Sequence, residues 1–387
     1  MDPTAEFVPP GQAEELQRPN TERPAEDHGG VAASALESGA ATGTDDLTEQ
    51  FHRLVESGAL RWDVSHRVVR KLGSGGQGVV MLAERLGAFG VVFQLALKFF
   101  DPKDYHSTDA YRAEMSRLAR LTMRLARLQE DHLLDVFNQV DCGGVNVLVM
   151  EWIDGYDLRF LLTPGSLEQV RSNSSEETWK YVNDVVATGS RAQVRLKPGV
   201  AIAILRDCLA ALSALHHEQI VHGDLKPANI MVKRTGSCKL VDFGSAVTLD
   251  EPALRKTWTP RYASVEMLEG SGPSPASDLA SLGYVLFEML SGALPFADAT
   301  TYAELIAEKR RLPEELGGLL PPDAADSELL LGLLQGLISP DPAERFASAD
   351  AADVSLDGAA AFQRQLVRGD LASEYERDIR LWVRELA

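Results

Sequence analysis

Short apolar runs predict β-strands at five places along the chain. Residues 62–69 alternate between apolar and polar side chains, and apolar runs occupy 95–98 and 145–150. Two shorter runs, at 230–232 and 239–241, have the same character. Alternation with a period of two is typical of a half-buried strand, and a short apolar run of a fully buried one. The predicted strands therefore concentrate before residue 150, with one short pair beyond residue 230.

Apolar side chains spaced three or four residues apart predict helices at 111–128, 198–217 and 279–290. Pro198 stands at the start of the second, where proline is favoured. A shorter helix is predicted at 45–60, with an apolar face formed by Leu47, Phe51, Leu54 and Val55. Thr44 or Asp45 could cap it. The pattern leaves open whether this helix braces the strand-rich region or only connects it to what precedes.

The C-terminal part of the chain is predicted to form one or two amphipathic helices within 355–387. Its apolar residues stand among charged ones and are Phe362, Leu366, Leu381, Trp382 and Leu386. Exposed apolar stripes are rare on soluble monomers, so we expect these helices to pack on the rest of the molecule rather than on a partner.

Composition separates the first 45 residues from the rest. They are rich in Pro, Glu, Ala and Gly and nearly devoid of aromatic and branched apolar residues, so disorder is expected. The whole chain has 387 residues, 45% hydrophobic and 25% charged, which is ordinary for a globular protein. Its net charge of −19 argues against binding to nucleic acid or an anionic membrane.

Cysteine usage and the apolar runs point to a soluble cytoplasmic protein. The three cysteines have no metal-ligand spacing and are expected to be free thiols in a reducing compartment. The N-terminus lacks the basic patch and apolar run of a signal peptide. The apolar stretch 279–290 is too short to span a bilayer.

Candidate chemistry gathers around the two short strands beyond residue 230. The sequence His222-Gly223-Asp224-Leu225-Lys226-Pro227-Ala228-Asn229 precedes the first, and Asp242-Phe243-Gly244 follows the second. Each piece alone is compatible with an ordinary turn. Together they present two carboxylates, a lysine and a carboxamide, which are the groups that phosphoryl transfer requires.

Two upstream features belong to the same chemistry. Residues 73–80 read Gly-x-Gly-x-x-Gly-x-Val between two predicted strands, which lets a backbone turn close over phosphates. Lys98 then lies on an apolar strand, where a buried ammonium needs a carboxylate or phosphate partner. Alone, the glycine-rich turn would favour a plain hairpin.

The ordered set resembles the eukaryotic-type protein kinase family and is closest in character to its soluble bacterial members. The resemblance implies an α+β fold with two lobes, a small β-rich N-lobe at 64–150 and a larger, mostly helical C-lobe at 154–350. It also implies an insertion at about 164–197, containing a loop and one short helix from near Glu176. The flanking parts are then a disordered segment 1–45, a helical connector 46–63 and a helical tail 351–387.

The resemblance assigns the reacting groups and the two cofactors, ATP and Mg²⁺. Asp224 would accept the proton of the attacking hydroxyl, and Lys226 would neutralise charge on the γ-phosphate, which points to Ser or Thr substrates. Asn229 and Asp242 would hold Mg²⁺. Lys98 would bind the α- and β-phosphates and pair with Glu114, for which a solvated surface glutamate is the alternative.

The resemblance also implies an ATP pocket. Its members would be Leu72, Gly73, Gly75, Gly78, Val80, Ala96, Lys98, Met150, Glu151, Ile153 and Asp157. Glu151 and Ile153 would bond adenine through their backbone, and Met150 would guard the back of the pocket. Asp157 would accept from the ribose hydroxyls, or else cap the next helix.

Downstream residues distinguish a protein substrate from a small molecule. Thr259 would lie near Asp224 and position the peptide, and Asp278 would cap the backbone of the catalytic loop or simply begin a helix. Glu266 would pair with Arg345 in a peptide-binding subdomain that small-molecule kinases lack. Three positions depart from the family pattern and leave room for weak activity: Gly223, Trp258 and Val265.

The sequence therefore predicts a serine/threonine protein kinase that takes ATP, Mg²⁺ and a protein substrate. Three other functions stay open: a weakly active pseudokinase scaffold, a kinase of small amino-alcohols, and an interaction module acting through the insertion or the tail. Because Gly223 replaces the usual arginine, control by phosphorylation of the activation segment is in doubt.

Overall fold

The computed structural model describes residues 44–57, 59–61, 65–190, 192–250, 258–366 and 372–386. Disorder was predicted for residues 1–45, of which 1–43 lie outside this set, and the prediction is wrong for Thr44 and Asp45, which begin a helix. The strand start at Trp62 and part of the short segment 245–256 also lie outside it. The domain boundaries drawn from the sequence stay predictions.

The small lobe is built on one antiparallel sheet of six strands. In chain order these are β1 (Ala59–Arg61), β2 (Ser65–Gly75), β3 (Gly78–Leu86), β4 (Val92–Phe100), β5 (Val136–Cys142) and β6 (Val145–Glu151). Their order across the sheet is β1-β2-β3-β4-β6-β5. The apolar runs at 95–98 and 145–150 form the buried parts of β4 and β6, as predicted.

Two helices cover the small-lobe sheet. Helix α2 (Thr108–Leu125) begins at Ser107, whose hydroxyl accepts from the Ala110 backbone N–H, and it buries an apolar face. Helix α1 (Thr44–Glu56) buries Leu47, Phe51 and Leu54. A Cβ on Gly144, in the β5–β6 turn, would lie 2.7 Å from Leu47. Helix α1 therefore packs on the lobe and acts as a brace.

The large lobe is mostly helical. Its helices are α3 (Leu158–Leu161), α4 (Pro164–Asn173), α5 (Glu176–Tyr181), α6 (Pro198–His217), α7 (Val265–Leu268), α8 (Pro275–Ser291), α9 (Tyr302–Leu319), α10 (Pro322–Ala325), α11 (Glu328–Ile338), α12 (Ala349–Val354), α13 (Ala359–Leu366) and α14 (Ala372–Arg384). Its short strands are β7 (Gly155–Asp157), β8 (Ala187–Gly189), β9 (Val194–Leu196), β10 (Ile220–Val221), β11 (Ile230–Lys233), β12 (Cys238–Leu240) and β13 (Val247–Thr248).

The predicted long helices at 198–217 and 279–290 are confirmed as α6 and the inner part of α8, which form the centre of the large lobe. Within the described ranges, α6 alone is long and apolar enough to cross a membrane, and most of it is buried in the lobe. All three cysteines lie in the described part of the chain and are free, as expected.

The tail and the segment 164–197 pack on each other and on the large lobe. Trp382 is fully buried, and the Tyr181 hydroxyl donates to the Asp378 carboxylate at 2.6 Å. The Gln169 amide donates to the Leu386 carbonyl at 2.7 Å. Packing of the tail is thus confirmed, although Leu366 stays 42% exposed.

The expectation of a single short helix in 164–197 is wrong. Helix α4, the hairpin β8–β9 and one π-helical turn (Val182–Val186) accompany α5. The buried residues of α4 include Ser166, whose hydroxyl donates to the Leu161 carbonyl at 2.8 Å. Because Ser166 is polar, its burial could not be recognised from the spacing of apolar residues, and helix α4 was not predicted.

Candidate active site

The loop between β10 and β11 presents the proposed catalytic base. The Lys226 ammonium lies 2.6 Å from Asp224 Oδ2 and donates to the Thr259 hydroxyl at 2.8 Å. The Thr259 backbone N–H donates to Asp224 Oδ1 at 2.7 Å. Both carboxylate oxygens are therefore fixed, and the prediction that Thr259 lies beside Asp224 and Lys226 is confirmed.

The side chains of this group open onto a cavity of about 430 Å³. Its walls come from both lobes and from the segment before α7: Gln77, Asp224, Lys226, Ser245, Trp258, Thr259 and Tyr302. Asp224 is 12% exposed and Lys226 is 27% exposed, so solvent and a substrate can reach them. The cavity has room for an acceptor side chain next to the carboxylate of Asp224.

Two oxygen-bearing side chains flank the loop where a divalent cation would bind. The Asn229 amide nitrogen donates to the Asp224 carbonyl at 2.8 Å, which leaves its amide oxygen as the ligand atom. Asp242 follows β12 with a left-handed backbone (φ 64°), and Gly244 donates to its Oδ1 at 3.2 Å. Mg²⁺ uses few protein oxygens together with substrate phosphates, so this pair fits the cation.

Lys98 and Asp242 form an ion pair across the cleft. The Lys98 ammonium lies 2.5 Å from Asp242 Oδ1 and 2.9 Å from Gln77 Oε1, and Lys98 is 7% exposed. Burial opposes ionisation of the Asp242 carboxyl, but the charge and hydrogen bond of Lys98 outweigh it and lower its pKa to about 2. Asp242 is therefore an anion at any physiological pH.

The expected pairing of Lys98 with Glu114 is absent from this structure. Glu114 is buried on α2 and bonds instead to Arg117 of the same helix, with Arg117 Nη2 at 2.8 Å from Oε1. Arg117 Nη1 also donates to the Ala246 carbonyl at 2.8 Å. Arg117 lies one helical turn beyond Glu114 and can reach it without a lobe movement. The alternative of a solvated surface glutamate is also wrong, because Glu114 is 6% exposed.

The glycine-rich turn between β2 and β3 closes over the same cleft. A Cβ on Gly78, whose φ is 140°, would lie 1.8 Å from the Phe99 carbonyl oxygen, so only glycine fits there. Gln77 points inward from the turn, and its amide nitrogen lies 3.3 Å from the Ser245 hydroxyl. The turn therefore contacts both Lys98 and the segment after Asp242.

The predicted adenine pocket lies where the two lobes join. Ala96 and Met150 pair with each other across β4 and β6 and are buried. Val80 and Ile153 are half-buried, and Leu72 is 36% exposed. Gly73 and Gly75 lie on β2 opposite Val80 and Gly78. Contacts of these residues with a nucleotide stay predictions.

Asp157 caps helix α3, which was the alternative to its ribose contact. Its Oδ1 accepts from the Phe160 backbone N–H at 2.9 Å. Burial raises the pKa of its carboxyl, and the Phe160 N–H and Arg159 partly offset this rise. The ribose contact stays a prediction.

The loop between β10 and β11 is held from below by Asp278 of α8, as predicted. Its two oxygens accept from the backbone N–H groups of His222 and Gly223 at 2.8 and 2.9 Å. His216 Nε2 lies 2.9 Å from Asp278 Oδ2. The N–H groups of a tight turn, with Gly223 at φ 75°, thus find acceptors inside the lobe.

The ion pair between Glu266 and Arg345 is also confirmed. Arg345 Nη1 and Nη2 lie 2.7 and 2.8 Å from the two Glu266 oxygens, and the same guanidinium bonds the Ser339 and Ala276 carbonyls. Burial raises the pKa of Glu266, but the bonds and charge of Arg345 outweigh it, so the pKa is lowered. This pair joins α7 to the segment before α12.

The residues with contacts in the cleft that were not predicted include Gln77, Arg117 and Lys239. Lys239 is 6% exposed on β12 and pairs with the carboxylates of Glu151 and Asp135. It therefore ties the end of β6 to the strand that delivers Asp242. A charged residue inside a predicted buried strand was the available signal for Lys239, and the Glu–Arg spacing of three was the signal for Arg117.

Comparison with known families decides the relationship. The model of the protein kinase domain matches residues 66–355, which is most of the chain. The chain belongs to the protein kinase family. The two-lobed α+β fold expected from the sequence is that of the protein kinase domain.

The curated relatives of this kinase domain include bacterial proteins. It is 31% identical over 288 residues to the serine/threonine-protein kinase PknD of Mycobacterium tuberculosis, covering 73% of this chain and 38% of PknD. It is 30% identical over 306 residues to the serine/threonine-protein kinase pkn3 of Myxococcus xanthus, covering 75% of this chain and 49% of pkn3. The chain spans less than half the length of each of these two relatives.

Proposed function

We propose that the chain is a Mg²⁺- and ATP-dependent protein kinase that phosphorylates Ser or Thr hydroxyls. The observation that carries the proposal is the fixed Asp224 carboxylate, which opens onto a cavity beside Lys226. The names of the relatives, all serine/threonine-protein kinases, support this class of substrate over small amino-alcohols. The Glu266–Arg345 pair of the peptide-binding subdomain supports it as well.

In the proposed reaction the acceptor oxygen bonds to the γ-phosphorus of ATP while the bond to the β,γ-bridging oxygen breaks, releasing ADP. Asp224 accepts the hydroxyl proton, and its anchoring by Lys226 and Thr259 aims it at the acceptor. Lys226 also offsets charge on the transferred group. Bound between Asn229 and Asp242, Mg²⁺ would neutralise the phosphates.

Lys98 has to exchange partners for this reaction. Its ammonium pairs with Asp242 in this structure, whereas phosphate binding requires both groups to face the nucleotide. The Glu114–Arg117 pair contributes to the present arrangement because it withholds the other carboxylate from Lys98. These two pairs, together with the departures from the family pattern at Gly223, Trp258 and Val265, support the alternative of a weakly active scaffold.

The test compares wild type, Asp224→Asn and a matched surface variant, Asp109→Asn, whose side chain is 95% exposed. Each is incubated with Mg²⁺-ATP and either a generic protein acceptor or a small amino-alcohol. We expect transfer to protein by wild type and Asp109→Asn, and a loss of at least about a hundredfold in Asp224→Asn.

If Asp224→Asn transfers as much phosphate to the acceptor as wild type does, Asp224 has no role in the reaction. ATP binding in a thermal-shift assay without transfer by wild type would favour the scaffold. Transfer to the amino-alcohol alone would favour a small-molecule kinase. The proposal also places the domain in the cytoplasm, where ATP is supplied.

A further inference from the structure

The turn between β3 and β4 exposes an unusual amount of apolar surface. Within residues 86–93, here called the hairpin tip, five large apolar side chains face solvent. Their exposed fractions are 52% for Leu86, 104% for Phe89, 48% for Val91, 46% for Val92 and 47% for Phe93. Such contiguous patches on soluble proteins mark contact sites, whereas isolated exposed apolar residues need no explanation.

The backbone of the hairpin tip holds Phe89 outward. Phe89 has a φ of 58°, in the left-handed region that bulky residues rarely adopt. The turn is closed around it by a hydrogen bond of 2.7 Å from the Gly87 N–H to the Val91 carbonyl, and Leu86 pairs with Val92 across the strands. An outlier of this kind at a fully exposed aromatic residue points to a functional constraint.

Two exposed arginines lie at the base of the hairpin tip. Arg85 directly precedes Leu86, and its guanidinium lies 5.1 Å from the centre of the Phe93 ring. Arg67 on β2 lies opposite Glu84 and is paired with it, and its side chain is 68% exposed, against 16% for Glu84. These three residues carry a net charge of +1 in a chain whose net charge is −19, so the charge at the base of the tip has the opposite sign to that of the whole chain.

We propose that the hairpin tip inserts its apolar side chains into an anionic lipid surface, while Arg67 and Arg85 contact the headgroups. Apolar and aromatic side chains rimmed by arginine are suited to a membrane interface. The acidic remainder of the chain does not prevent this contact, because charges more than about 8–10 Å from the surface are largely screened at physiological ionic strength.

The size of the patch favours lipid over a second copy of the chain. The exposed surface of the five side chains amounts to roughly 500 Å², judged from typical aromatic and aliphatic side-chain areas. A stable protein interface buries about 800 Å² on each partner. A narrow turn with one protruding phenylalanine can enter the headgroup region without a complementary partner surface.

The test is co-flotation of the full chain with phosphatidylcholine vesicles that contain or lack about 30 mol% phosphatidylserine. The variants are Phe89→Ser, Arg67→Glu with Arg85→Glu, and the control Leu356→Ser, which alters a residue that is 92% exposed on the large lobe. We expect wild type and Leu356→Ser to float with the anionic vesicles only. Both hairpin variants should lose at least about tenfold in the bound fraction.

Retention of soluble-peptide phosphorylation by the hairpin variants shows that they are folded and that any loss of flotation is local. If the chain proves inactive, circular dichroism and thermal unfolding serve the same purpose, so this test does not depend on the proposed function. Absence of flotation by wild type would overturn the proposal. Self-association in light scattering that disappears in Phe89→Ser, without vesicle binding, would overturn it in favour of a second copy.

Discussion

Glu114 is bonded in its buried site to Arg117, three residues further along the same helix, and Lys98 is bonded to Asp242. Arg117 bonds both oxygens of Glu114 and also the Ala246 carbonyl, so it fastens α2 to the segment after Asp242. Both side chains are less than a tenth exposed, so removing one of them would leave the other as an uncompensated buried charge. The competition between Arg117 and Lys98 for Glu114 is therefore a candidate control point for activity.

Replacing Arg117 tests that competition. In Arg117→Gln we expect Glu114 to pair with Lys98, which frees Asp242. The value of kcat/KM should rise by roughly three- to tenfold, which corresponds to a shift of about 1 kcal/mol in the equilibrium between the two pairings of Lys98. Steady-state peptide phosphorylation measures it, and Arg112→Gln on the exposed side of the same helix is the control. A lower kcat/KM at an unchanged Tm would show that Arg117 supports the active arrangement instead.

Glu288 gives the large lobe a pH dependence of stability. It is 3% exposed, and burial is the main cause that raises the pKa of its carboxyl to about 7, against the hydrogen bond from the Tyr262 hydroxyl at 2.6 Å. The folded state thus keeps a proton that the unfolded chain releases near pH 4.5. Stability from this group is complete below that pH and is lost as pH rises through 7.

We therefore expect Glu288→Gln to flatten the pH profile. Relative to wild type, its free energy of unfolding should improve by on the order of 2–3 kcal/mol between about pH 4.5 and 7.5. Urea unfolding at several pH values measures this difference. An identical pH slope in the two proteins would mean that Glu288 is ionised in the folded state at neutral pH.

At the level of whole elements, periodicity predicted the long helices but failed where burial depends on remote partners. Helix α6 buries a continuous apolar stripe, so its bounds follow from local spacing. Helix α4 buries Ser166 beside Leu167 and Val170, and its neighbouring Gln169 and Asn173 bond to the last residues of the chain. Contacts between residues more than 200 positions apart cannot be predicted from the local pattern of apolar and polar residues.

The tail helix α14 should carry a large share of the stability of that region. Trp382 is fully buried, so Trp382→Ala is expected to cost about 3–5 kcal/mol of unfolding free energy. Chemical denaturation measures the loss, with Leu356→Ala, a change at a 92% exposed site, as the control expected to stay within ~0.5 kcal/mol. A loss below about 1 kcal/mol for Trp382→Ala would indicate that α14 undocks easily.

At the scale of the molecule, the sequence predicted the parts of the site that lie within one lobe. Asp224, Lys226, Asn229 and Asp278 belong to one loop and the helix beneath it, so their geometry follows from a local motif. The contacts that cross the cleft depend on how the lobes and α2 are placed. The charged residues there can form more than one set of ion pairs, so the partner of Lys98 could not be derived from spacing in the sequence.

Because Lys98 and Asp242 pair across the cleft, we expect nucleotide binding to depend on a divalent cation. When phosphates take Lys98 as their partner, the Asp242 carboxyl loses the cation that lowers its pKa, and a bound cation would be needed to keep it ionised beside the phosphates. ATP with Mg²⁺ at a hundred times its Kd should stabilise the protein by about 2.7 kcal/mol, and ATP with EDTA by clearly less. In Asp242→Asn the difference between the two conditions should shrink, whereas Asp109→Asn should keep it. Thermal unfolding of the three proteins under the two conditions measures this, and equal stabilisation of wild type with and without Mg²⁺ would show that Asp242 does not face the phosphates.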